Sequence, residues 1–324
     1  MSGAVLVFVH APGGEPDRLA LEILTFARTL GGPIESVSFA REVSTATLGS
    51  YEVSTAHVLG DERLAGSAPE ARAAALVQLI ERISPVAMVG PGSERGNELM
   101  AHVAARLGKP LAVNVASAEA DGDRLRLVRH RWAGSLLEDA WLDGLPKLLT
   151  IAPHAVAAAP AAKSTSPAIS AFDATVSDRD FRVRPRPVEA STRSGISLSE
   201  ARVVVGGGRG VGSSEGFADL EELAGLLGGA VGGSRVVTSA GWRPHSDQIG
   251  QTGLRIAPDL YIACGISGAI QHIVGCKGAR RILAINTDPD APIMDVADYA
   301  VIGDLHQVVP AISGELRRRR VSVG

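Results

Sequence analysis

Five glycines and an arginine follow a short apolar run in the second half of the chain. The stretch VVVGGGRGVG spans residues 203–212, and such a turn lets backbone N–H groups approach a phosphate closely. The dinucleotide fingerprint Gly-x-Gly-x-x-Gly fails in both registers, because Val211 or Ser213 replaces its third glycine, and the Lys-Ser/Thr of a P-loop is absent. A nucleotide site and a glycine-rich turn without a ligand therefore both fit this stretch.

Two further segments carry polar groups that suit a heterocycle. Ser234 and Arg235 follow a glycine pair, and this cation could pair with phosphate or face an electron-rich ring, with a surface ion pair as the alternative. The segment QIGQTG, residues 248–253, holds two carboxamides, a hydroxyl and two glycines, and Gln and Thr can bond to ring nitrogen and oxygen atoms. An ordinary polar turn is the alternative for this segment.

A third segment, CGISGAIQH at residues 264–272, follows a predicted strand. Residues 267–269 are predicted to begin a helix, and free N–H groups at a helix N-terminus suit a pyrophosphate. His272 could point from that helix toward the same crevice, or it could be a structural histidine. Asn286 and Asp304 stand at or near the ends of predicted strands, where an open α/β sheet places ribose and adenine contacts.

The elements that must position these residues are indicated by alternating apolar patterns. Through the first 150 residues, predicted strands span 4–9, 34–39, 53–59, 86–89, 111–115 and 147–151, and predicted helices span 17–30, with Asp17 as N-cap, 67–83 and 94–107. This alternation of strands and helices is lost from 153 to 199, a stretch rich in Ala, Pro and Ser. We interpret the stretch as the connection between two domains, with one possible strand near 174–178. A second alternation of strands and helices begins at Arg202. Its predicted strands span 203–205, 260–264, 282–286 and 299–302, and its predicted helices span 215–227, 267–274 and 305–320.

These patterns predict an α/β fold class with two domains, each a mainly parallel sheet flanked by helices. The N-terminal domain is expected over residues 1–190 and the C-terminal domain, flavodoxin-like or DHS-like, over residues 200–324. The chain's 324 residues, 45% of them hydrophobic, suffice for two such cores.

Composition and motif content exclude several function classes. A net charge of −3 argues against nucleic acid as the principal partner. Cys264 and Cys276 lack metal-ligand or disulfide spacing, which favours no metal site and a reducing, cytoplasmic compartment. No apolar run reaches 18 residues, so no membrane-embedded helix is expected. No Ser/His/Asp arrangement or carboxylate pair points to a hydrolase.

In their order along the chain, six segments resemble the alpha subunit of electron-transfer flavoprotein, a family that includes the FixB-type proteins. These segments are VGGSR, SAGW, QIGQTG, APDLYIACGISGAIQH, AINTDPDAPI and ADYAVIGDL, and they are spread over residues 203–312 in unbroken order. The first 150 residues match more loosely, through VGPGSERGNELMAHVAARLGKPL at 89–111. Thr238 and Ser239 depart from the family's common Val-Asp, and Met294 departs from its frequent Phe.

The resemblance implies that the C-terminal domain binds FAD. The residues that stand where the family contacts FAD are Arg209, Ser234, Arg235, Gln248, Ile249, Gly250, Gln251, Thr252, Ser267, Gly268, Ala269, Ile270, Gln271, His272, Asn286, Asp304 and Leu305. The resemblance further implies that Arg235 lies by the isoalloxazine and favours the reduced anionic flavin. Thr252 would then bond near flavin N5 and His272 near the C2 carbonyl.

The resemblance also implies an electron carrier, without catalytic residues, that forms a heterodimer with a beta subunit contacted by the N-terminal domain. Electrons would pass singly from flavin dehydrogenases, such as the acyl-CoA dehydrogenases of fatty acid beta-oxidation, to a membrane quinone oxidoreductase. One alternative is a bifurcating or FixB-type subunit that takes electrons from NADH, with a second FAD instead of AMP on the beta subunit. An NAD(P)-binding enzyme is another, although the usual acidic residue about 20 residues beyond the glycines is missing.

Overall fold

The computed structural model describes residues 3–66, 68–134, 136–183, 197–198 and 201–321. The chain divides into two compact units, Met1–Ala190 and Ser191–Gly324. Each unit is a mainly parallel sheet flanked by helices, so the predicted α/β fold class is confirmed.

The described residues of the N-terminal unit form a nine-stranded sheet in the order β7-β6-β5-β8-β4-β1-β2-β3-β9. Its strands are β1 Val5–Phe8, β2 Ile34–Ser38, β3 Val53–Val58, β4 Ala87–Pro91, β5 Leu111–Asp121, β6 Arg124–Arg131, β7 Leu136–Leu142, β8 Lys147–Ile151 and β9 Ala168–Ala171. Its helices are α1 Arg18–Ala27, α2 Thr45–Ser50, α3 Glu62–Ala65, α4 Pro69–Ile83 and α5 Glu94–Leu107. The pairs β5–β6 and β6–β7 are antiparallel, and all the other pairs are parallel.

The N-terminal unit follows the apolar pattern where strands are buried on both faces. Every residue of β1, β4 and β8 is buried, as expected for parallel strands covered by helices. The N-cap predicted at Asp17 is present, because its carboxylate accepts a hydrogen bond from the Ala20 N–H at 2.8 Å.

Several parts of the N-terminal unit differ from the sequence prediction: helices α2 and α3 were not predicted, and β5 extends beyond the predicted end at 115. The hairpin of β6 and β7 was not predicted, and the strand predicted near 174–178 is wrong. The added strand is β9, which pairs with β3 and forms one edge of the sheet. It is mostly exposed, so it has no apolar alternation to reveal it. The backbone of Thr175 instead exchanges two hydrogen bonds with the carboxamide of Gln78, at 2.8 and 3.0 Å, and is thereby held away from the sheet.

The described residues of the C-terminal unit form a five-stranded, fully parallel sheet in the order β11-β10-β12-β13-β14. Its strands are β10 Val203–Gly207, β11 Ala230–Gly233, β12 Leu260–Cys264, β13 Ile282–Asn286 and β14 Tyr299–Ile302. Its helices are α6 Phe217–Leu227, α7 Arg235–Ser239, α8 Ile270–Cys276 and α9 Leu305–Val321. Strand β11 was not predicted, and α6 begins two residues later than expected.

The two faces of this sheet pack against different elements. Val205, Ile262 and Ile285 point to the face covered by α6 and α9. Their strand neighbours, among them Tyr261, share the opposite core with residues of α8 and the segment 249–256. Within the described ranges, no helix combines the length and apolar character needed to cross a bilayer.

The strand order places a crevice at the carboxyl ends of β10 and β12. The chain leaves β10 toward β11 on one side and returns to β12 on the other, which makes a topological switch point between β10 and β12. In open α/β sheets of this order, ligands bind outside the carboxyl ends of the strands at that point. The turns after β10 and β12 therefore flank the expected site.

A buried arginine ties the segment before residue 248 to α6. Arg243 Nη2 lies 2.8 Å from Asp247 Oδ2, and the same guanidinium bonds to Glu221 of α6. The side chains of Arg243 and Asp247 are only 9% and 12% exposed. This pair holds the turn that leads directly into Gln248.

Arg243→Ala should lower the free energy of unfolding of the C-terminal unit by about 3–5 kcal/mol, because it leaves the Asp247 carboxylate buried without its cation. Urea unfolding measures the change. The matched control is Arg317→Ala, which breaks an ion pair with Glu222 whose side chains are 61% and 40% exposed and should change stability by less than about 1 kcal/mol. Equal effects of the two variants would contradict a structural role for the Arg243 pair.

Candidate functional site

The turns after β10 and β12 touch through their backbones. Gly208 N donates to Cys264 O at 2.9 Å, and Gly210 N donates to Gly265 O at 3.1 Å. A Cβ on Gly208 would lie 2.2 Å from Gly265 O, and Gly265 itself has a φ of +61°. Leu305 closes the contact, since its Cδ2 lies 2.7 Å from the position of a Cβ on Gly265. Glycine is needed here because the two backbones approach too closely for side chains.

The turn after β12 carries amide N–H groups that the protein does not use. Among the described residues, the backbone N–H groups of residues 267–271 have no hydrogen-bond acceptor. Gly268 has a φ of +84°, and a Cβ there would lie 2.3 Å from Ile293 N, so this residue cannot continue a helix. Helix α8 therefore begins at Ile270, and the prediction that residues 267–269 begin it is wrong. The free donors predicted for this turn are nevertheless present.

The segment 248–254 folds against α8. Gln251 N donates to Gln271 O at 2.7 Å, and a Cβ on Gly275 would lie 2.3 Å from Gly250 N. The two segments singled out separately in the sequence, 248–252 and 267–272, are thus brought into direct contact.

Side-chain hydrogen bonds run through this loop from Thr238 to Thr252. Thr238 Oγ1 lies 2.7 Å from Gln248 Oε1, and Gln248 Nε2 donates to Thr252 Oγ1 at 2.9 Å. Gln248 is only 2% exposed, and both ends of its carboxamide are hydrogen-bonded inside the protein. Thr252 accepts this bond, and its own hydroxyl hydrogen stays available for donation. Thr238, noted only as a departure from the family pattern, supports this arrangement.

Two exposed arginines follow the carboxyl ends of β10 and β11. Arg209 and Arg235 are exposed, and within the described part of the chain their side chains make no ion pair or hydrogen bond. Arg235 is the first residue of α7, where a loop position was expected. Ser234 is the N-cap of α7, but its hydroxyl makes no capping bond, while its N–H donates to Gly207 O at 2.9 Å. The structure therefore does not support the surface ion pair considered for Arg235.

His272 lies buried beside Tyr261 of β12. His272 Nε2 is 2.8 Å from Tyr261 Oη, and His272 Nδ1 has no hydrogen-bond partner among the described residues. Burial lowers the pKa of His272 to about 4, an effect partly offset by the backbone of Ile249, so the ring is neutral at neutral pH. Tyr261 was not predicted as a site residue. Its signal was a phenol within an aliphatic strand, because a buried hydroxyl needs a partner.

Asn286 and Asp304 are largely used within the protein. Asn286 Nδ2 donates to Ile266 O at 2.9 Å, which braces the turn after β12, and Asn286 Oδ1 accepts from Asp288 N at 3.1 Å. Asp304 Oδ1 accepts from His306 N at 3.0 Å at the start of α9. Asn286 thus supports the turn after β12, while Asp304 lies beside it as a helix cap.

The remaining predicted residues differ in exposure. Ile249 and Leu305 belong to the buried cores. The exposed residues in the turn after β12 and at the start of α8 are Ser267, Ala269, Ile270 and Gln271. The candidate site is therefore a strip from Gly265 to His272, with the glycine-rich turn at one end and the segment 248–254 at the other.

Comparison with known proteins gives matches to both units. Residues 197–277 match the electron transfer flavoprotein FAD-binding domain, and residues 5–177 match the electron transfer flavoprotein domain. Electron transfer flavoprotein subunit alpha of Thermoanaerobacterium thermosaccharolyticum is 33% identical over 322 residues, which cover 97% of this chain and 98% of that protein. The Bacillus subtilis subunit alpha is 34% identical over 330 residues, 99% of each chain. Protein FixB of Clostridium saccharobutylicum is 32% identical over 321 residues, 97% of this chain and 96% of FixB.

Gly275→Ala should destabilise the C-terminal unit by about 1–3 kcal/mol, because its Cβ would overlap the Gly250 backbone and push the segment 248–254 off α8. The matched control is Gly225→Ala in α6, where no atom lies within 4 Å of the added Cβ; it should stabilise the unit by about 0.5–1 kcal/mol. Urea unfolding distinguishes the signs. A stabilising Gly275→Ala would contradict the contact between α8 and this segment.

Proposed function

This chain belongs to the electron transfer flavoprotein alpha-subunit family, and we propose that it binds FAD in its C-terminal unit as the alpha subunit of a heterodimeric electron carrier. In this role it takes electrons singly from flavin dehydrogenases, such as acyl-CoA dehydrogenases, and passes them to a membrane quinone oxidoreductase. The observation that carries the proposal is a set of hydrogen-bond donors near the carboxyl ends of β10, β11 and β12 that have no acceptor among the described residues. These donors are Arg209, Arg235, the amides of residues 267–271, the Thr252 hydroxyl and His272.

The diphosphate and adenosine of FAD suit one part of this strip. The free amides of residues 267–271 and the unpaired Arg209 are the donors that a pyrophosphate requires. Asp304 keeps Oδ2 without a hydrogen bond among the described residues, and a carboxylate oxygen can accept from ribose hydroxyls. We assign the adenosine end to the region of Asn286 and Asp304, with Asn286 acting through the turn that it braces.

The flavin end suits Arg235, Thr252 and His272. When bound, FAD supplies reversible storage of electrons. Arg235 contributes a fixed positive charge, Thr252 a hydroxyl hydrogen held from behind by Gln248, and His272 a neutral ring. Donors held in place before reduction stabilise the negative charge that appears on reduction, and they raise the reduction potential. These residues perform no bond chemistry on a substrate, so we propose a carrier and not an enzyme.

The N-terminal unit carries apolar surface that suits a protein partner, which we take to be the beta subunit. The hairpin of β6 and β7 exposes Trp132, Leu136, Leu137 and Trp141 by 79%, 54%, 66% and 52%. Exposed apolar side chains grouped on one element are typical of protein interaction sites. We therefore assign beta-subunit contact to residues 1–190 and FAD binding to residues 200–324.

Reconstitution with the beta subunit tests this proposal. The alpha and beta chains, refolded or co-expressed and supplied with FAD, should give a yellow complex with one FAD per heterodimer that an acyl-CoA dehydrogenase and its substrate reduce. Absorbance of the purified complex and extraction of its nucleotides measure both points. A colourless complex would refute FAD binding. Two FAD molecules per heterodimer, with reduction by NADH, would instead favour a bifurcating subunit.

Arg235→Ala should weaken FAD binding by about tenfold and lower the reduction potential of the bound flavin, because it removes an unpaired cation from the proposed flavin end. Fluorescence titration of FAD and a potentiometric titration measure the two effects. The matched control is Arg281→Ala, since Arg281 is also exposed but is paired with Asp298 at 2.5 Å beside the start of β13. An unchanged potential in Arg235→Ala would remove Arg235 from the site.

A further inference from the structure

A hydrogen bond behind the candidate site joins two buried side chains. Tyr261 is 0% exposed and His272 is 6% exposed, and Tyr261 Oη lies 2.8 Å from His272 Nε2. Their ring centroids are 6.1 Å apart, so the contact is made at the polar atoms and not by stacking. Of the polar atoms in the two side chains, His272 Nδ1 remains without a hydrogen-bond partner within the described residues.

We propose that Tyr261 fixes His272 in the neutral tautomer that carries its proton on Nδ1. Tyr261 is then a positioning residue, and His272 presents a single N–H donor on the side away from the phenol. The tautomer is a property of this chain alone. That the donor acts on bound flavin rests on the function proposed above.

Counting donors and acceptors favours this arrangement. If the phenol donates to Nε2, then Nδ1 holds the hydrogen, and one buried N–H group is left without an acceptor among the described residues. If Nε2–H donates to Oη, the phenol hydrogen has no acceptor among the described residues and the Nδ1 lone pair has no donor. The second arrangement leaves two buried polar groups unsatisfied, and each such group destabilises the folded state.

Burial keeps the phenol of Tyr261 protonated and the imidazole of His272 neutral. Burial raises the pKa of Tyr261 well above its ordinary value, so the phenol remains a donor. The neighbouring thiols of Cys264 and Cys276 are also protonated, because burial raises the pKa of each to about 12. Burial lowers the pKa of His272 to about 4, which excludes the doubly protonated ring at neutral pH.

The glycine at position 206 of β10 provides the space that the phenol of Tyr261 occupies. A Cβ on Gly206 of β10 would lie 2.3 Å from Tyr261 Oη and 2.7 Å from its Cε2, so the ring occupies the space that a side chain at position 206 would fill. The phenol thus extends along the sheet toward the carboxyl ends of the strands. A hydroxyl held in this way can determine which nitrogen of the adjacent imidazole is protonated.

Arg235 and His272 would contribute differently to the proposed flavin end. Arg235 supplies charge, because it is exposed, always protonated and unpaired among the described residues. His272 supplies an uncharged N–H donor whose orientation is fixed by Tyr261. Loss of the Tyr261 hydroxyl should therefore alter the orientation of a donor and leave the net charge of the site unchanged.

The tautomer of His272 in the full chain without FAD tests whether Tyr261 determines which ring nitrogen is protonated. Nitrogen-15 histidine labelling and long-range proton–nitrogen correlation spectra distinguish protonated from unprotonated ring nitrogens, and the His272→Gln spectrum assigns the signal by its loss. We expect His272 to be neutral and protonated on Nδ1, and to become a mixture of tautomers in Tyr261→Phe. The control Tyr299→Phe changes a phenol that is 62% exposed in the same sheet, and should leave the His272 signal unchanged. A His272 ring protonated on Nε2, or on both nitrogens, in the unmodified chain would overturn the inference even if Tyr261→Phe does not fold.

Potentiometric titration of the FAD-loaded complex with the beta subunit tests whether the His272 donor acts on bound flavin. Tyr261→Phe should lower the flavin potential and Tyr299→Phe should not. An unchanged potential in Tyr261→Phe would overturn the action of this donor on flavin. Failure of every variant, including the unmodified chain, to bind FAD would refute the proposed function and leave the tautomer decided by the spectra.

Discussion

The backbone contact between the turns after β10 and β12 is the constraint on which the candidate site depends. Two N–H groups of the first turn donate to carbonyls at Cys264 and Gly265, at distances that leave no room for a Cβ on Gly208. Parallel strands normally separate after their carboxyl ends, where side chains fill the space between loops. Here the absence of side chains lets two turns lie against each other, and the second turn receives a fixed direction as it leaves the sheet.

That direction determines the course of the strip from Gly265 to His272. Its first half rests on the glycine-rich turn and Leu305, and its second half contacts the segment 248–254 through Gln271 and Gly250. A single stretch of backbone therefore relates the donors proposed for the phosphates to those proposed for the flavin. An elongated cofactor needs both ends placed together, and one continuous, braced segment achieves this more rigidly than separate loops.

The sequence predicted the bounds of several elements correctly, both buried strands and the mostly exposed β14. The bounds of β8, β12, β13, β14 and α5 agree with the apolar patterns. The start of α8 was predicted wrongly from the sequence, because it is determined by the contact of Gly268 with Ile293, a residue distant in the sequence. The same limit applied to side-chain roles. A carboxamide such as Gln248 suits a ligand by type, and only the positions of Thr238 and Thr252 show that it is used within the protein.

Each of the two neutral donors proposed for the flavin is hydrogen-bonded to a buried side chain of the protein, Gln248 for Thr252 and Tyr261 for His272. Thr252 accepts from Gln248, which Thr238 holds in turn, and the His272 ring is bonded to Tyr261. Once these bonds are made, Thr252 keeps its hydroxyl hydrogen for donation and the His272 ring keeps one N–H group. A donor that cannot turn toward water does not have to reorganise when charge develops nearby, which is where electrostatic stabilisation is most effective. A carrier that meets one protein to accept electrons and another to release them benefits from supports within its own chain, since its potential then depends less on which partner is docked.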